Sequence, residues 1–287
     1  MRIPVPSILS SRHTGLFLVS VLTATLLACG GGGGGGAADD GGGGGGGGTP
    51  QLPDLGQPRI LVSHEPTMER LRNMLAANAP AATRFKTMVD SQLQGANHYN
   101  FEPWFAALMG RITGSANYCT YAVQETDAFV RAEEALIAAR QRPLVADDVY
   151  LHVGGYIGNL AMVYDWCRAQ MTDPDRARWR AYANQAVWNV WNHTQAKWGD
   201  TAFPWSGWSV DNPVNNYYYS FLEATMLLGL ATKGENDMAE DWLHRFRTTK
   251  IADQLVPTFN SDLVGGGSRE GTGYGIAMRN LWRLYDW

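Results

Sequence analysis

The chain contains few of the residues on which common enzyme mechanisms depend. Only 6 histidines and 3 cysteines occur in 287 residues, and they do not form a cluster with metal-ligand spacing. A serine nucleophile elbow is absent, and so is a dinucleotide fingerprint between a strand and a helix. We therefore predict no cofactor and no metal ion. Catalysis in this chain would depend on asparagine and tyrosine side chains and on an isolated histidine.

An excess of positive charge is also absent. The 23 Lys and Arg residues stand against 27 Asp and Glu residues, which gives a net charge of −4. This balance argues against a nucleic-acid-binding protein that works through bulk charge. A polyanionic substrate would need local cations, for example Lys197, Arg269 or Arg279, to offset the overall field.

The first 28 residues are predicted to be an export signal. Arg2 and Arg12 lie in a polar head, and an apolar run over 15–28 ends in small residues before Cys29. This run is too short to span a membrane as a mature helix. The sequence Leu-Leu-Ala-Cys ending at Cys29 resembles the bacterial lipobox, which implies lipidation of Cys29; the alternative is an ordinary cleaved signal with a chance cysteine. In bacterial lipoproteins an aspartate after the cysteine would suggest retention in the inner membrane. By analogy, Gly30 at that position favours the outer membrane.

Residues 29–56 are dominated by two glycine tracts that cannot bury a core, and they are predicted to form a flexible tether. The remaining residues, 57–287, are enough for one large domain with a substantial core. Within this domain, Cys119 and Cys167 have two possible states in an exported protein: they form a disulfide bond, or they remain single buried thiols.

Helical periodicity dominates the domain and strand alternation is scarce, which predicts an all-α fold. The predicted helices cover 67–77, 81–93, 101–112, 126–140, 149–170, 173–198, 213–232, 237–248 and 274–287. Prolines near the starts and glycines after the ends support these assignments. The pattern N-L-x-x-x-Y-D-W occurs at 159–166 and again at 280–287, which favours antiparallel helix pairs arranged in a ring.

Two segments, 211–220 and 265–274, carry polar groups near predicted helix starts. Asn212 is predicted to be an N-cap with Pro213 in the first helical position, so Asn216 falls at the positive end of the helix dipole, where an anion is favoured. Tyr217 belongs to an apolar stripe that indicates core packing. Asn216, with residues 219, 220 and 223, is predicted to lie on a polar face directed toward a cavity or solvent.

In the second segment, Glu270 and Tyr274 are four residues apart on a glycine-rich approach that permits close contact with a ligand. Glu270 has two interpretations: it binds substrate, or it only caps a helix.

The two segments resemble the catalytic segments of the heparinase II/III-like polysaccharide lyases, a family related to some alginate lyases. The likeness lies in the paired asparagines Asn215 and Asn216 at a helix start, followed by an E-G-x-x-Y segment from Glu270 to Tyr274. It extends to 57–62 and 160–166 and covers most of the domain. The resemblance implies an (α/α) toroid, which would be incomplete here, and an acidic, uronate-containing polysaccharide substrate cleaved by β-elimination.

The resemblance also implies roles for the site residues. The Asn216 amide would neutralise the uronate carboxylate, and Tyr274 would act as base, as acid, or as both. A nearby cation such as Arg269 would help the phenol ionise. Tyr217 stands where many members carry a histidine, so that base is either replaced by a phenol or lost. His152 has two interpretations, a catalytic contribution or, with more weight, a role in the core or behind the site.

Two tryptophans of the domain are also candidates for substrate binding. Trp205 and Trp208 lie in a loop, where their rings either stack on sugars or pack within the loop.

Two other functions are alternatives to the lyase. The first is a glycoside hydrolase on a helical barrel, which needs two carboxyl groups; the candidates are Asp165, Asp211 and Glu270. The second rival is a non-catalytic glycan-binding lipoprotein. In each case the protein is expected in the cell envelope, attached to the membrane through Cys29.

Overall fold

The computed structural model describes residues 58–62, 64–265, 269–271 and 284. The predictions for the export signal, for Cys29, for the tether and for Tyr274 lie outside the described residues. The second copy of the N-L-x-x-x-Y-D-W pattern also lies outside them, with the exception of Leu284, which is buried.

The described part of the chain is predominantly helical and has only two short strands, which confirms the predicted all-α class. Its helices are α1 (Glu65–Ala76), α2 (Pro80–Leu93), α3 (Pro103–Thr113), α4 (Ala116–Ala138), α5 (Val153–Trp166), α6 (Asp173–Trp191), α7 (Asn216–Thr232), α8 (Ala239–His244) and α9 (Val256–Ser261). A π-helical segment, Arg245–Leu255, joins α8 to α9. Two short antiparallel strands, β1 (Lys197–Trp198) and β2 (Thr201–Ala202), form a hairpin after α6.

Helix starts follow the local sequence in some places and depart from it in others. Pro66, Pro80 and Pro174 lie in the first turns of α1, α2 and α6, as predicted. In contrast, α4 begins ten residues earlier than predicted. Its inward positions in that stretch are Cys119, Ala122 and Thr126, and such small or weakly apolar residues leave a faint apolar stripe.

Helices α5 and α7 lie side by side and run in the same direction. Near their first turns, the backbone N–H of Gly154 donates to Ser220 Oγ at 2.8 Å. One turn farther along, Gly158 faces Leu227, where an added Cβ would come within 3.1 Å of the leucine side chain. The absence of a Cβ at both glycines permits this close approach. The amino-terminal ends of α5 and α7 therefore lie on the same side of the protein.

Helix α4 runs antiparallel to α5. The ring of Phe129 stacks on Tyr156 near the start of α5, with 5.2 Å between ring centroids. At the other end, Cys119 is disulfide-bonded to Cys167, which follows α5 directly. Of the two predicted states of these cysteines, a disulfide bond or two single thiols, the structure has the disulfide bond.

Helix α6 runs antiparallel to α7 in the same way. Trp191, the last residue of α6, donates its Nε1–H to Thr225 Oγ1 in α7 at 3.0 Å. Asn184, in the middle of α6, donates to Asn236 beyond the carboxyl end of α7 at 2.8 Å. Helices α4 and α5 therefore form one antiparallel pair and α6 and α7 form another, with α5 and α7 as parallel neighbours.

Helix α7 is buried on nearly all sides, so the predicted polar face toward a cavity or solvent is wrong for three of its four residues. Tyr219, Ser220 and Glu223 are only 2%, 8% and 8% exposed. The reason is the position of α7, which contacts α5, α6, α8 and the π-helical segment. Polar groups on this helix are satisfied inside the fold, as in the bond of Ser220 Oγ to Gly154.

The first copy of the repeated pattern has a structural function. Asp165 accepts hydrogen bonds from the backbone N–H groups of Arg59, at 2.8 Å, and Ile60, at 2.9 Å. Trp166 donates its Nε1–H to the carbonyl oxygen of Ile60 at 3.1 Å. The Asp-Trp pair at the end of α5 thus holds the extended segment that enters the domain.

Candidate active site

Glu270 joins the two polar segments. Its carboxylate accepts a hydrogen bond from the side-chain amide of Asn215 at 2.8 Å and another from the backbone N–H of Asn216 at 2.7 Å. Asn215 is the N-cap of α7, and its side-chain oxygen accepts from the backbone N–H of Tyr217 at 3.1 Å. The predicted N-cap at Asn212 and first helical position at Pro213 are therefore wrong. The chain turns over 212–215 before the helix begins.

The anion position at the start of α7 is filled by the protein itself. We expected the positive end of this helix to hold a substrate carboxylate, but the Glu270 carboxylate takes the backbone N–H of Asn216. The side chain of Asn216 is half-buried and forms no hydrogen bond with any described residue. This amide is the polar group at the helix start that remains available to a ligand.

Tyr217 has a packed ring and an outward hydroxyl group. Its ring contacts Phe221 edge-on, with centroids 6.4 Å apart, as the apolar stripe predicts. Its hydroxyl reaches outward and donates to Asp148 Oδ1 at 3.3 Å. The side chain is half-buried, so the phenol oxygen lies at the same open end as Asn216.

A strained turn supplies Asp148. Asp148, Val149 and Tyr150 all have positive φ, at 43°, 48° and 66°, a conformation that is uncommon for residues other than glycine and very uncommon for valine. Consecutive strain of this kind persists only when the surrounding structure imposes it, and it is frequent at functional sites. This turn could not be predicted from the sequence, because nothing in the local sequence requires positive φ.

His152 is the N-cap residue of α5 and is exposed, so a core role is wrong, while a role behind the site stays a prediction. Within the described residues, its ring has no hydrogen-bond partner. The bond between Gly154 and Ser220 holds the first turns of α5 and α7 together. His152 and Asn216 are thus presented at the same end of adjacent parallel helices.

The neighbouring tyrosine of α7 is not a base. Burial, and then the negative charge of Glu270, raise the pKa of Tyr219 to about 12, and its hydroxyl donates to the carbonyl oxygen of Pro213 at 2.9 Å. This phenol stays protonated and fixes the turn before the helix.

The two loop tryptophans have different environments. Trp205 is only 8% exposed; its ring lies 5.3 Å from that of Tyr150 and 6.0 Å from that of Phe221, and its Nε1–H donates to the Asn189 carbonyl oxygen. The predicted substrate-binding role of Trp205 is therefore replaced by loop packing. Trp208 is 56% exposed and remains a candidate for sugar stacking.

Lys250 is a residue that the sequence analysis missed. Its side chain is 2% exposed, and its ammonium group donates to Val210 O and Asp211 Oδ1 at 2.8 and 2.7 Å. It lies 4.5 Å from the ring centroid of Trp191, and burial lowers its pKa. Lys250 lies in the π-helical segment and anchors the loop that carries Trp208. A lone lysine in a polar stretch gives no sequence signal for such burial.

The remaining charged candidates are engaged elsewhere. Arg269 pairs with Asp262 at 2.7 Å, so its predicted role beside Tyr274 has no support in the described residues. Of the three carboxylates considered for a hydrolase, Asp165 holds backbone N–H groups, Asp211 pairs with Lys250, and Glu270 caps α7. Hydrolysis needs two carboxyl groups facing one cleft, and these three occupy separate structural positions.

Searches of the described residues found no cluster of three or more His, Cys, Asp or Glu side chains suited to a metal ion. In the same residues, no helix combines the length and apolar character needed to cross a membrane. Comparisons of the chain with protein-family models, curated proteins and solved structures returned no match.

Proposed function

We propose that this protein is a polysaccharide lyase that cleaves a uronate-containing glycan by β-elimination on an (α/α) toroid. Support for the architecture comes from the two antiparallel helix pairs, α4 with α5 and α6 with α7, in which α5 and α7 are parallel neighbours. Support for the site comes from the contact between the paired asparagines and Glu270, which are 55 and 54 residues apart in the chain.

One observation carries the proposal: the open end of α5 and α7 presents polar groups suited to proton transfer without a nucleophile. The Asn216 amide has no partner among the described residues, the Tyr217 hydroxyl lies at the surface beside Asp148, and His152 is exposed at the neighbouring helix start. These side chains match a reaction that requires carboxylate recognition, a base and an acid.

The residues have distinct roles in this reaction. The Asn216 amide donates to the uronate carboxylate and stabilises the charge that develops when the proton at C5 is removed. A base takes that proton, the electron pair forms the C4–C5 double bond, and the bond from C4 to the glycosidic oxygen breaks. A phenol then protonates the leaving oxygen. We assign proton transfer to Tyr217 and to Tyr274, with His152 as the alternative base.

Trp208 supplies a surface for the sugar chain. Its exposed indole lies in the loop that leads to α7, and this loop is fixed by Lys250. Aromatic faces bind the apolar faces of sugar rings. Together with a lipid anchor at Cys29, which we also propose, this arrangement fits a cell-envelope enzyme that acts on an acidic polysaccharide.

The experiment is an absorbance assay, because elimination leaves an unsaturated, ultraviolet-absorbing product end and hydrolysis does not. Alginate, heparan-type, chondroitin and pectic substrates are each incubated with the full chain. We expect absorbance to rise with at least one of them. Asn216→Ala, Tyr217→Phe, Tyr274→Phe and His152→Ala then identify the residues that matter.

Loss of one acid–base group should lower kcat by about 100-fold or more. Asn97→Ala and Tyr99→Phe are matched controls, because both side chains are exposed, and they should retain full activity. Full activity in Asn216→Ala, or in all three proton-transfer variants, would refute the assigned mechanism. A wild-type protein that binds these glycans through Trp208 and forms no product would instead establish the glycan-binding alternative.

A further inference from the structure

A cavity lies at the carboxyl end of α5, roughly 20 Å along the helix from the candidate active site. Its volume is about 420 Å³, and its wall includes Arg111, Arg168 and Arg176 together with Trp166 and Met171. The cavity wall thus brings together three guanidinium groups in a protein whose net charge is −4. None of these residues contributes to the proposed lyase reaction.

The charges of this cavity are only partly balanced. Glu235 pairs with Arg168, and it also lies 3.5 Å from Arg176 Nε and 3.2 Å from Arg180. One carboxylate is thus shared by three guanidinium groups. This arrangement fixes the positions of Arg168 and Arg176 and leaves positive charge at the cavity wall.

Asp165 also lies in the cavity wall, but its oxygens are occupied. They accept the backbone N–H groups of Arg59 and Ile60. Arg111 lies close enough to influence this carboxyl electrostatically. Arg176 also pairs with Asp173, so the four guanidinium groups of Arg111, Arg168, Arg176 and Arg180 outnumber three carboxylates, those of Asp165, Asp173 and Glu235.

Arg111 has a buried donor that no described residue satisfies. Its guanidinium forms no hydrogen bond with any residue in the described part of the chain, and its Nε is buried without an acceptor. A buried donor on a charged group normally has a partner, because leaving it unsatisfied costs free energy. An acceptor in the cavity would satisfy this donor.

We propose that this cavity binds a small organic oxyanion, one that carries a carboxylate, sulfate or phosphate group on a compact body. The planar fork of an arginine side chain matches the two oxygens of such groups. The cavity volume lies in the range of small-molecule sites, and Trp166 and Met171 provide an apolar wall for the body of the ligand. Arg111 is the residue that contacts the anionic group.

The test is isothermal titration calorimetry of the full chain with inorganic sulfate, and separately with a monosaccharide uronate, at constant ionic strength. We expect saturable binding of at least one probe, and the stronger probe identifies the preferred headgroup. Arg111→Met should weaken that binding at least tenfold. Arg84→Met is the matched control, because Arg84 is exposed and loses the same charge, and it should bind as the wild type does.

Arg111→Lys keeps the charge but not the fork, and it should bind more weakly than the wild type and more tightly than Arg111→Met. Circular dichroism confirms that each variant is folded. Absence of saturable binding of both probes to the wild type would overturn the proposal, as would equal affinity of the wild type and Arg111→Met. Neither result depends on lyase activity.

Discussion

The carboxylate of Glu270 accepts a hydrogen bond from the side-chain amide of Asn215 at 2.8 Å. This bond joins the N-cap of α7 to a segment 55 residues later in the chain. The same carboxylate accepts the backbone N–H of Asn216. A helix start has unpaired N–H groups and a positive dipole end, so a carboxylate is favoured there. This contact places the second polar segment against the first without any substrate.

The first prediction tests this capping contact. Glu270→Gln keeps the shape of the side chain but removes the charge at the helix start, so the free energy of unfolding should fall by roughly 0.5–2 kcal/mol. Urea denaturation monitored by circular dichroism measures the change. Glu69→Gln, at an exposed position of α1, should change stability little. Equal stability of the wild type and Glu270→Gln would show that the contact does not stabilise the helix start.

The sequence predicted the class of the fold because helical periodicity depends on local patterns. It placed the starts of α1, α2 and α6 well, since proline marks their first turns. The predicted end of α6 at residue 198 is wrong, because the helix ends at Trp191 and residues 197–198 form β1. The sequence misplaced the start of α4, where the buried positions are small or weakly apolar. It also misplaced the start of α7, because the competition between Asn212 and Asn215 as N-cap is decided by Glu270, which is distant in sequence.

The candidate site was predictable only in part for the same reason. Asn216 and Glu270 were recognised from short motifs, and the structure brings their segments together. Asp148 and Lys250 were missed because their positions depend on a strained turn and on burial by distant rings. Trp205 was ambiguous in the sequence, and only tertiary packing shows that it is buried.

The second prediction concerns the disulfide bond between Cys119 and Cys167, which are 48 residues apart. Closing a loop of this length restricts the unfolded chain, and the chain-entropy model gives a stabilisation of roughly 4 kcal/mol. The double variant Cys119→Ser, Cys167→Ser should therefore unfold at a clearly lower urea concentration. Reductant should destabilise the wild type and leave the double variant unchanged. Identical denaturation curves for the wild type with and without reductant, after complete reduction is verified, would contradict this prediction.

The third prediction concerns Asp165, whose pKa burial raises to about 6 although the backbone donors and the nearby arginines lower it. The ordinary value is about 4, so the folded protein holds this proton more tightly than the unfolded chain does. The resulting stabilisation is fully present below pH 4 and is lost as the pH rises through 6. Two pKa units correspond to roughly 3 kcal/mol.

Asp165→Asn removes this titration. The stability of the wild type relative to Asp165→Asn should therefore decrease by roughly 3 kcal/mol between pH 4 and pH 7, measured by urea denaturation at several pH values. Asp253→Asn, at an exposed position, is the control for loss of one negative charge. A stability difference between the wild type and Asp165→Asn that does not vary with pH would show that Asp165 titrates normally.

The fourth prediction uses two adjacent glycines of α5. An added Cβ at Gly154 would lie 2.7 Å from the Ser220 carbonyl oxygen, whereas at Gly155 it would meet no atom within 4 Å. Gly154→Ala must therefore push α5 and α7 apart at their amino-terminal ends, at a cost of about 1–3 kcal/mol. Gly155→Ala should be neutral or stabilising by up to about 1 kcal/mol, because alanine favours the helix.

The same pair of variants tests whether the candidate site depends on the alignment of the two helices. If His152, Asn216 and Tyr217 act together, Gly154→Ala should lower kcat on the active substrate even at temperatures where the variant is fully folded, because a displacement of about 1 Å at a catalytic group can reduce the rate by about 100-fold. Gly155→Ala should keep the wild-type rate. Equal rates in the two variants would mean that the reacting groups do not span α5 and α7, and the site would then have to be assigned to α7 and the segment around Glu270 alone.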